Sequence, residues 1–261
     1  MDINGKTVAI TGAAGAIGFA MAEEFLSKGA KSVAVMEIKG AHGKEATEKL
    51  LNKYGKGRAI YVECDVANSD EFKASFDKVV AAFGKIDVFV NNAGVVNEAG
   101  FKEMVLINIG GLIHGTLMAL NHMGSHIGAK GGAIINMASI TGLNPLPILP
   151  AYSSTKCAVV GFGTALAENT GSRGVRILTL CPGFTSSPIL SDITINQLDV
   201  LNVNKIRENL NSQYLQKPKT VAEAAVQLCE RGKNGAIWVT EDDEPPYAYE
   251  LPDRKQLKSV V

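Results

Sequence analysis

Short, continuous apolar runs recur along the whole chain. They are rich in Val and Ile, and their apolar residues follow one another instead of alternating with polar ones. That pattern is typical of strands that are buried on both faces of a parallel sheet. We therefore predict seven strands, over residues 6–11, 32–37, 59–64, 86–91, 132–138, 175–181 and 235–240.

Longer amphipathic segments separate these runs and predict helices. Ser69, with Asp70 and Glu71 after it, is typical of a helix start. Strands that alternate with helices indicate a doubly wound α/β fold, with a parallel sheet and helices on both faces. Because no linker or repeat divides the pattern, we expect a single Rossmann-like domain over residues 1–261. The predicted helices cover residues 17–28, 42–54, 69–83, 101–123, 152–170 and 219–231.

One region departs from this alternation. Residues 184–218 follow the sixth predicted strand, begin with the letters FTSSPILSD and continue into a polar, Asn-rich segment. Insertions at the carboxyl end of a strand are where such sheets bind ligands, so we predict that this segment forms the substrate-binding loop. The tail, residues 241–261, is polar and contains three prolines, and we expect it to wrap the surface.

The composition excludes several classes of protein. The 26 basic residues balance the 26 acidic ones, and 46% of the residues are hydrophobic, which argues against disorder and against binding of nucleic acid. The four cysteines lack metal-ligand spacing, so we predict free thiols in a reducing compartment and no metal site. The first residues lack the features of a secretory leader, which favours a cytoplasmic location.

Two long stretches, residues 104–129 and 131–155, contain no Asp, Glu, Lys or Arg. The first carries histidines, asparagines and glycines and the second carries three prolines, so neither is predicted to span a membrane. Stretches of this kind indicate a core, a cleft or a subunit interface.

A glycine-rich turn, Thr11–Gly18, joins the first predicted strand to a helix. Gly12 permits the tight turn, Gly15 lets a phosphate approach the backbone, and Gly18 allows the helix to pack on the strand. Glu37 ends the second strand, where an acidic residue binds a ribose hydroxyl and repels a 2′-phosphate, which favours NAD over NADP. A plain βα turn and a solvated acid are the simpler alternatives.

A tyrosine and a lysine four residues apart supply the candidate chemistry. Tyr152 and Lys156 fall on one face of a predicted helix. A free tyrosine, with a pKa of about 10, is a poor base at neutral pH, but a nearby cation favours the phenolate and lowers that pKa. The pair can then take a proton from an alcohol while hydride leaves the carbinol carbon. By itself, the spacing is also that of a half-exposed tyrosine and a surface lysine.

Further polar residues accompany this pair. Ser139 ends the fifth predicted strand, where its hydroxyl can hydrogen-bond the substrate oxygen. Asn108 interrupts an apolar helix, and it either holds a water that relays protons to Lys156 or is an internally satisfied amide. The turn Asn91–Gly94 is of the kind that lines a cofactor ribose, and the turn Cys181–Thr185 can meet a carboxamide.

Together these motifs resemble the short-chain dehydrogenase/reductase family over almost the whole chain. The resemblance implies a sheet of seven parallel strands and NAD(P)-dependent oxidation of alcohols or reduction of carbonyls. It assigns a catalytic tetrad to Asn108, Ser139, Tyr152 and Lys156. The expected cofactor is NAD, and the expected cofactor-binding residues are Gly12, Gly15, Ala16, Ile17, Gly18, Glu37, Asp65, Val66, Asn92, Ala93, Gly94, Tyr152, Lys156, Pro182, Gly183 and Thr185.

Within the family, the chain looks most similar to the NAD-dependent 15-hydroxyprostaglandin dehydrogenase-like and insect-type alcohol dehydrogenase group. The stretches VNNAGVVNE, GGAIINMASITGLNP and GVRILTLCPGFTSSPIL carry this likeness. Two positions depart from it. Gly15 lies one place earlier than usual, and the methyl group of Ala16 is expected to crowd the pyrophosphate. Leu149 stands where the prostaglandin enzyme has glutamine, which favours an apolar, lipid- or terpenoid-derived alcohol.

The resemblance leads to a main hypothesis, an NAD-dependent alcohol dehydrogenase, and to a competing one. The competing hypothesis is a catalytically idle relative that binds dinucleotide or lipid and has a structural or storage role. In this family the helices that match residues 101–123 and 152–170 pack across a two-fold axis, so we expect a homodimer or homotetramer. His114 and His122 have no acidic or cysteine partner, and we interpret them as packing or interface residues.

Overall fold

The computed structural model describes residues 1–189, 197–253 and 255, which build an eight-stranded sheet in the order β3-β2-β1-β4-β5-β6-β7-β8. Neighbouring strands from β3 to β7 are parallel. This confirms the predicted single-domain α/β fold with seven parallel strands. Each lies within two residues of its predicted bounds: β1 Thr7–Thr11, β2 Ser32–Glu37, β3 Ala59–Glu63, β4 Val88–Asn91, β5 Gly132–Met137, β6 Val175–Pro182 and β7 Ile237–Thr240.

The tail contributes a strand that was not predicted from the sequence. β8, Tyr247–Tyr249, pairs antiparallel with β7, so the expectation that residues 241–261 only wrap the surface is wrong for this segment. Asp242 and Asp243 reverse the chain with φ angles of 57° and 59°, a region that Asp tolerates better than most residues. The short aromatic strand then covers the edge of the sheet. Residues 254 and 256–261 lie outside the described part of the chain.

Helices lie on both faces of the sheet, close to the predicted positions. The predicted start at Ser69 is correct, and Asn68 caps that helix by accepting hydrogen bonds from the N–H groups of Asp70 and Glu71. The helices are α1 Ala16–Ser27, α2 Gly43–Tyr54, α3 Ser69–Phe83, α4 Phe101–Val105, α5 Leu112–Met123, α6 Pro150–Ala167, α7 Val203–Asn211 and α8 Pro218–Arg231.

The predicted helix over residues 101–123 is one helical run whose winding changes in the middle. A π-helical segment, Leu106–Gly111, joins α4 to α5 and carries the buried Asn108. Such segments occur often at functional sites. In the described part of the chain, this run alone is long and apolar enough to cross a membrane, and 44% of its most apolar window is buried in the protein. The buried helix of a protein core has the same length and composition.

Burial on both faces of the sheet explains the continuous apolar runs. Along β1, Val8 and Ile10 pack with residues of α1 and α8, whereas Ala9 between them packs on the opposite face with residues of α3 and α5. Successive side chains of a strand point to opposite faces. A strand covered on both sides therefore needs apolar residues at every position.

The strand order fixes where a ligand can bind. From β1 the sheet extends through β2 to β3 in one direction, and the chain then crosses to β4 on the other side of β1. In such a sheet the loops at the carboxyl ends of β1 and β4 diverge and leave a crevice between them. The motifs singled out in the sequence all follow strands that end at this edge.

Candidate active site

The glycine-rich turn between β1 and α1 is closely packed at two of its three glycines. Gly12 has a φ of +65°, and a Cβ there would come within 2.9 Å of the Ala93 Cα. At Gly18 a Cβ would overlap the carbonyl oxygen of Gly12 and lie 2.8 Å from the Ala13 Cα. Gly15 differs, because a Cβ there would meet only the Gly12 oxygen, at 3.4 Å. The turn therefore has one open face, at Gly15.

This open face forms part of a cleft across the carboxyl ends of β1 to β4. α1 begins at Ala16, and its capping residue Gly15 supplies no side-chain hydrogen bond, so the first helical N–H groups are available to an anionic ligand. Eleven of the predicted cofactor-binding residues line this cleft: Gly12, Gly15, Ala16, Ile17, Gly18, Glu37, Asp65, Val66, Asn92, Ala93 and Gly94.

Two carboxylates at the cleft are held by backbone N–H groups. Glu37 accepts one hydrogen bond from Ala14, in the glycine turn, and one from Ile38, each at 3.0 Å. Asp65 accepts a hydrogen bond from the N–H of Ala67 at 2.9 Å. These bonds fix both negative charges at the ends of β2 and β3, where Glu37 was expected to bind a ribose hydroxyl and Asp65 to contact the cofactor.

The turn after β4 divides its asparagines between the cleft and the core. Asn92 lines the cleft, and its Nδ2 donates to the carbonyl oxygens of Thr11 and Gly12 at 2.9 and 3.0 Å, which ties β4 to the glycine turn. Asn91 is buried and donates to Thr116 and Asn136, both at 2.9 Å. Because Asn91 points into the core, the expectation that it lines the cofactor ribose is wrong.

A second pocket adjoins the cleft and is lined by the side chains that were predicted to be catalytic. Ser139, Tyr152 and Lys156 line it, together with the predicted cofactor-binding residues Pro182, Gly183 and Thr185 of the turn after β6. Five residues belong to both the cleft and the pocket: Ile17, Asn92, Gly94, Ser187 and Ile189. The two spaces are therefore continuous, and a ligand in the cleft can reach the hydroxyl and amine groups of the pocket.

The Tyr152 phenol lies beside the hydroxyl of Ser139. Ser139 ends β5, and its Oγ accepts a hydrogen bond from the Thr141 N–H at 3.2 Å, which holds the serine side chain in place. Burial raises the pKa of Tyr152 to about 12, and the hydrogen bond with Ser139 opposes that rise. The first turn of α6 and the end of β5 thus bring together the two hydroxyl groups that the sequence placed thirteen residues apart.

Lys156 is buried, and burial disfavours its protonated form. Its Nζ donates to the Met137 carbonyl oxygen at 3.0 Å and lies 5.5 Å from the centre of the Tyr152 ring. Burial lowers the pKa of Lys156 to about 8. The prediction of a lowered tyrosine pKa is wrong for the protein alone, because burial of the phenol raises that pKa.

Asn108 lies next to this pair but uses its side chain for structure. Its Oδ1 accepts from the Val95 N–H at 2.9 Å, and its Nδ2 donates to the Val95 carbonyl at 2.9 Å and to Thr155 at 3.2 Å. Of the two alternatives, the internally satisfied amide is the correct one for its side chain. A Cβ on Gly94 would lie 3.3 Å from the Asn108 Oδ1 and 3.7 Å from the Lys156 Nζ, so these three residues are packed together.

The far wall of the pocket is apolar. Leu149, the residue three places before the tyrosine, is 2% exposed and packs with Val96 and with Ile206 of α7. Phe184 and Ile189, from the start of the predicted substrate-binding loop, line the pocket as well. Residues 190–196 of that loop lie outside the described part of the chain.

Two buried residues that support the site were missed in the sequence. Glu98 accepts hydrogen bonds from the N–H groups of Ala151 and Tyr152. Gln216 donates to Thr185 at 3.2 Å and to the Thr240 carbonyl at 2.8 Å, which fixes the turn after β6. Each forms hydrogen bonds with residues more than 20 positions away in the sequence. A motif within one short segment therefore could not have revealed either residue.

The cysteines and histidines have packing roles where the structure describes them. All four cysteines are free, as predicted, and burial raises the pKa of Cys64, Cys181 and Cys229 to about 12. His122 accepts a hydrogen bond from the Ile86 N–H at 3.1 Å, and His114 meets Phe72 edge-on. In the described ranges no three His, Cys, Asp or Glu residues are grouped to hold a metal ion.

Comparison with known proteins agrees with this geometry. The sequence pattern of the family described as short chain dehydrogenase matches residues 6–198. The chain is 36% identical to the 15-hydroxyprostaglandin dehydrogenase [NAD(+)] of Bos taurus over 247 residues, which cover 91% of each chain. It is 31% identical to alcohol dehydrogenase 1 of Ceratitis cosyra over 245 residues, 92% of this chain and 93% of that one.

Among solved structures, the 3-ketoacyl-(acyl-carrier-protein) reductase of Brucella melitensis, complexed with NADH, is similar with a TM-score of 0.76 and 27% identity. The similarity covers 92% of this chain and 98% of the reductase. Levodione reductase has the same fold, with a TM-score of 0.78 at 24% identity over 92% of this chain and 96% of that one.

Proposed function

The chain belongs to the short chain dehydrogenase family, and from this membership we propose that it is an NAD-dependent dehydrogenase of an apolar alcohol, or a reductase of the matching carbonyl compound. One observation carries the proposal. Ser139 and Lys156, which are buried, and Tyr152, which is half-buried, lie where the nucleotide cleft continues into an apolar pocket. Hydride exchange between a dinucleotide and an alcohol carbon needs a proton donor and acceptor at such a junction.

The cleft fits a dinucleotide. The open face at Gly15 and the N–H groups at the start of α1 suit a pyrophosphate, which needs close backbone approach and positive electrostatic potential. Glu37 and Asp65 would hold the adenosine side, and Lys156 the nicotinamide ribose. When bound, the dinucleotide accepts the hydride that leaves the carbinol carbon, or supplies it in the reverse direction.

NAD is favoured over NADP by the charge at the end of β2. The Glu37 carboxylate is fixed by the Ala14 and Ile38 N–H groups and would repel a 2′-phosphate while accepting a hydrogen bond from a 2′-hydroxyl. The mammalian relatives that resemble the chain over most of its length are described as NAD(+) enzymes. Both observations support NAD as the cofactor.

Tyr152 would act as the acid and base of the reaction. In oxidation its phenolate oxygen takes the proton of the substrate hydroxyl, and in reduction its O–H returns that proton to the carbonyl oxygen. A pKa of about 12 in the protein alone keeps the phenol protonated at neutral pH. The Lys156 ammonium and a positive charge at the nicotinamide position both favour the phenolate, so they would bring this pKa down for oxidation. Ser139 would orient the substrate oxygen.

The pocket wall supports an apolar substrate. Leu149, Val96 and Phe184 line the pocket with apolar side chains, so a lipid- or terpenoid-derived alcohol would bury its carbon skeleton there. Ala16, at the start of α1, lines the nucleotide cleft. That its methyl group weakens cofactor binding stays a prediction.

A direct assay tests the proposed function. Purified protein is incubated with NAD and a panel of apolar primary and secondary alcohols, and NADH formation is followed at 340 nm. We expect turnover with NAD and much slower turnover with NADP. NAD binding in calorimetry without turnover of any alcohol or carbonyl would instead support the idle relative.

Replacement of Tyr152 by Phe tests the assigned acid and base. General acid–base catalysis contributes roughly 10²- to 10⁴-fold, so kcat of Tyr152→Phe should fall by about 10³-fold. NADH affinity should change little, because the nucleotide cleft is formed mainly by other residues. Wild-type turnover by this variant would refute the mechanism.

The exposed apolar face of the 101–123 run supports self-association. Phe101, Val105, Leu106 and Leu117 are 46%, 40%, 55% and 43% exposed, and clusters of exposed apolar side chains often mark an interface. We propose a homodimer or homotetramer through this run and α6. A single 27.6 kDa species in sedimentation at micromolar concentration would contradict it.

The four free thiols support a reducing compartment such as the cytoplasm.

A further inference from the structure

Glu98 is a carboxylate with no exposed surface, and it lies in the loop between β4 and α4. Its Oε1 accepts a hydrogen bond from the Tyr152 N–H at 2.7 Å, and its Oε2 accepts one from the Ala151 N–H at 3.0 Å. A buried carboxylate costs several kcal/mol unless it is well hydrogen-bonded. Among the residues that the structure describes, these two hydrogen bonds stabilise Glu98 in this position.

The first turn of α6 has backbone N–H groups that require hydrogen-bond acceptors. At the N-terminus of α6 the capping residue, Leu149, supplies no side-chain hydrogen bond to the backbone N–H groups of the first turn. Pro150, at the first helical position, has no N–H of its own. The Ser153 N–H already donates to the Leu149 carbonyl at 2.8 Å. Ala151 and Tyr152 carry the two remaining donors of the first turn, and Glu98 accepts from both. The carboxylate also lies at the positive end of the helix dipole.

The contact acts directly on the residue that carries the proposed chemistry. One of the two donors is the backbone N–H of Tyr152 itself, so Glu98 ties that residue's backbone to the loop that follows β4. A second tether supports the first, because Asn108 bonds both Val95 and Thr155, one turn further along α6. The loop from Val95 to Glu98 is therefore attached to α6 at two levels.

We propose that Glu98 is a positioning residue that holds the Tyr152 phenol in place against Ser139 and the substrate oxygen. The proposal rests on the proposed function, in which Tyr152 transfers the proton. A displacement of the phenol of about 1 Å can cost on the order of 10²-fold in rate. The loops after β1, β2 and β3, which form most of the nucleotide cleft, do not contact Glu98 by any hydrogen bond that the described residues show.

Glu98→Gln is the decisive variant. Its amide keeps one acceptor oxygen but places an NH₂ group against the second backbone N–H, so α6 loses one of its two bonds. We expect kcat to fall at least about tenfold, with KM for the alcohol and the Kd for NADH within about twofold of wild type. Glu98→Asp, which keeps both acceptors on a shorter side chain, should restore part of kcat.

Asp243 offers a matched control. It accepts hydrogen bonds from the Lys217 N–H at 2.9 Å and from the Thr220 hydroxyl, at the start of α8. That helix also has a proline in its first turn and a capping residue without a side-chain bond. Asp243→Ala should lower Tm, as any lost cap does, and leave kcat unchanged. Each kcat is measured at a temperature where circular dichroism shows every variant folded.

Two outcomes would overturn the assignment. One is a Glu98→Gln protein with the kcat of wild type, and the other is a loss of kcat that Asp243→Ala shares. If wild type converts none of the alcohols or carbonyl compounds, the proposed function fails. The positioning role of Glu98 is then tested separately, by the NMR signals of the tyrosine ring protons. The chain has six tyrosines, so Tyr152→Phe identifies the Tyr152 signal. That signal should move in Glu98→Gln and stay fixed in Asp243→Ala, and an unmoved signal in both would refute the proposal.

Discussion

The two ends of the ligand-binding space are built by different means. At the nucleotide end the shape comes from backbone, because Gly12, Gly15 and Gly18 decide which atoms may approach. At the proposed catalytic end the shape comes from side chains, with Lys156 buried and Tyr152 half-buried. In the proposed function, cofactor binding would therefore depend on free space beside the backbone, whereas proton transfer would depend on ionisable side chains that burial keeps from water.

The two ends are therefore expected to respond differently to substitutions and to pH. At the nucleotide end a single added methyl group can close the space, and the charges of Glu37 and Asp65 stay partly exposed. At the catalytic end a lost contact leaves a buried polar group without its partner, which costs about 1–3 kcal/mol. We therefore expect pH to act mainly on the catalytic end and side-chain volume on the nucleotide end.

The largest expected effect concerns the buried lysine. The pKa of Lys156 is about 8 in the folded protein against 10.5 for an ordinary lysine. Below pH 8 both folded and unfolded chains carry the charge, and the cost of burying it is fully present. Between pH 8 and 10.5 the folded chain releases the proton first, so the cost is relieved as pH rises. Wild type should gain about 3 kcal/mol relative to Lys156→Met across this window.

Urea unfolding at intervals from pH 7 to pH 10 measures most of this gain. The raised pKa values of three buried cysteines and of Tyr152 lower the stability of the folded state above about pH 9 and pH 10. Wild type and variant share these groups, so the difference between the two proteins is the quantity compared, and the range stops at pH 10. Lys49→Met, which removes a lysine that is 61% exposed, should leave the pH dependence as in wild type. Parallel curves for wild type and Lys156→Met would mean that this amine is hydrated, and the contrast between the two ends would disappear.

What the sequence could predict follows the same division. Gly12 and Gly18 are detectable because a tight turn and a close helix contact each require glycine at a fixed spacing in one short segment. The seven parallel strands are detectable because burial on both faces leaves continuous apolar runs. Tyr152, Lys156 and Ser139 were found because their residue types are suited to proton transfer and a known family places them at the same spacing.

The parts that the sequence could not predict depend on distant partners or on environment. Glu98 acts on a helix whose start lies more than 50 residues away, and β8 forms because a reversed tail meets the edge of β7. The direction of the Tyr152 pKa was predicted wrongly because the lysine is visible in the sequence and the burial is not. Asn91 was assigned to the cleft because neighbours in a turn do not reveal which side chain points inward.

The smaller expected effect lies at the nucleotide end, where Gly15→Ala should weaken NAD binding about tenfold, or about 1.4 kcal/mol. The backbone at Gly15 is extended, with φ −69° and ψ 164°, so alanine fits without strain, and its methyl group would enter the open face. Gly18→Ala is the matched control, since its methyl group would meet backbone and should lower the unfolding free energy by about 2 kcal/mol. Calorimetric titration with NAD and urea unfolding of both variants test the pair. Unchanged NAD affinity in Gly15→Ala would show that the open face is not where the pyrophosphate lies, and that backbone space does not control this end of the cleft.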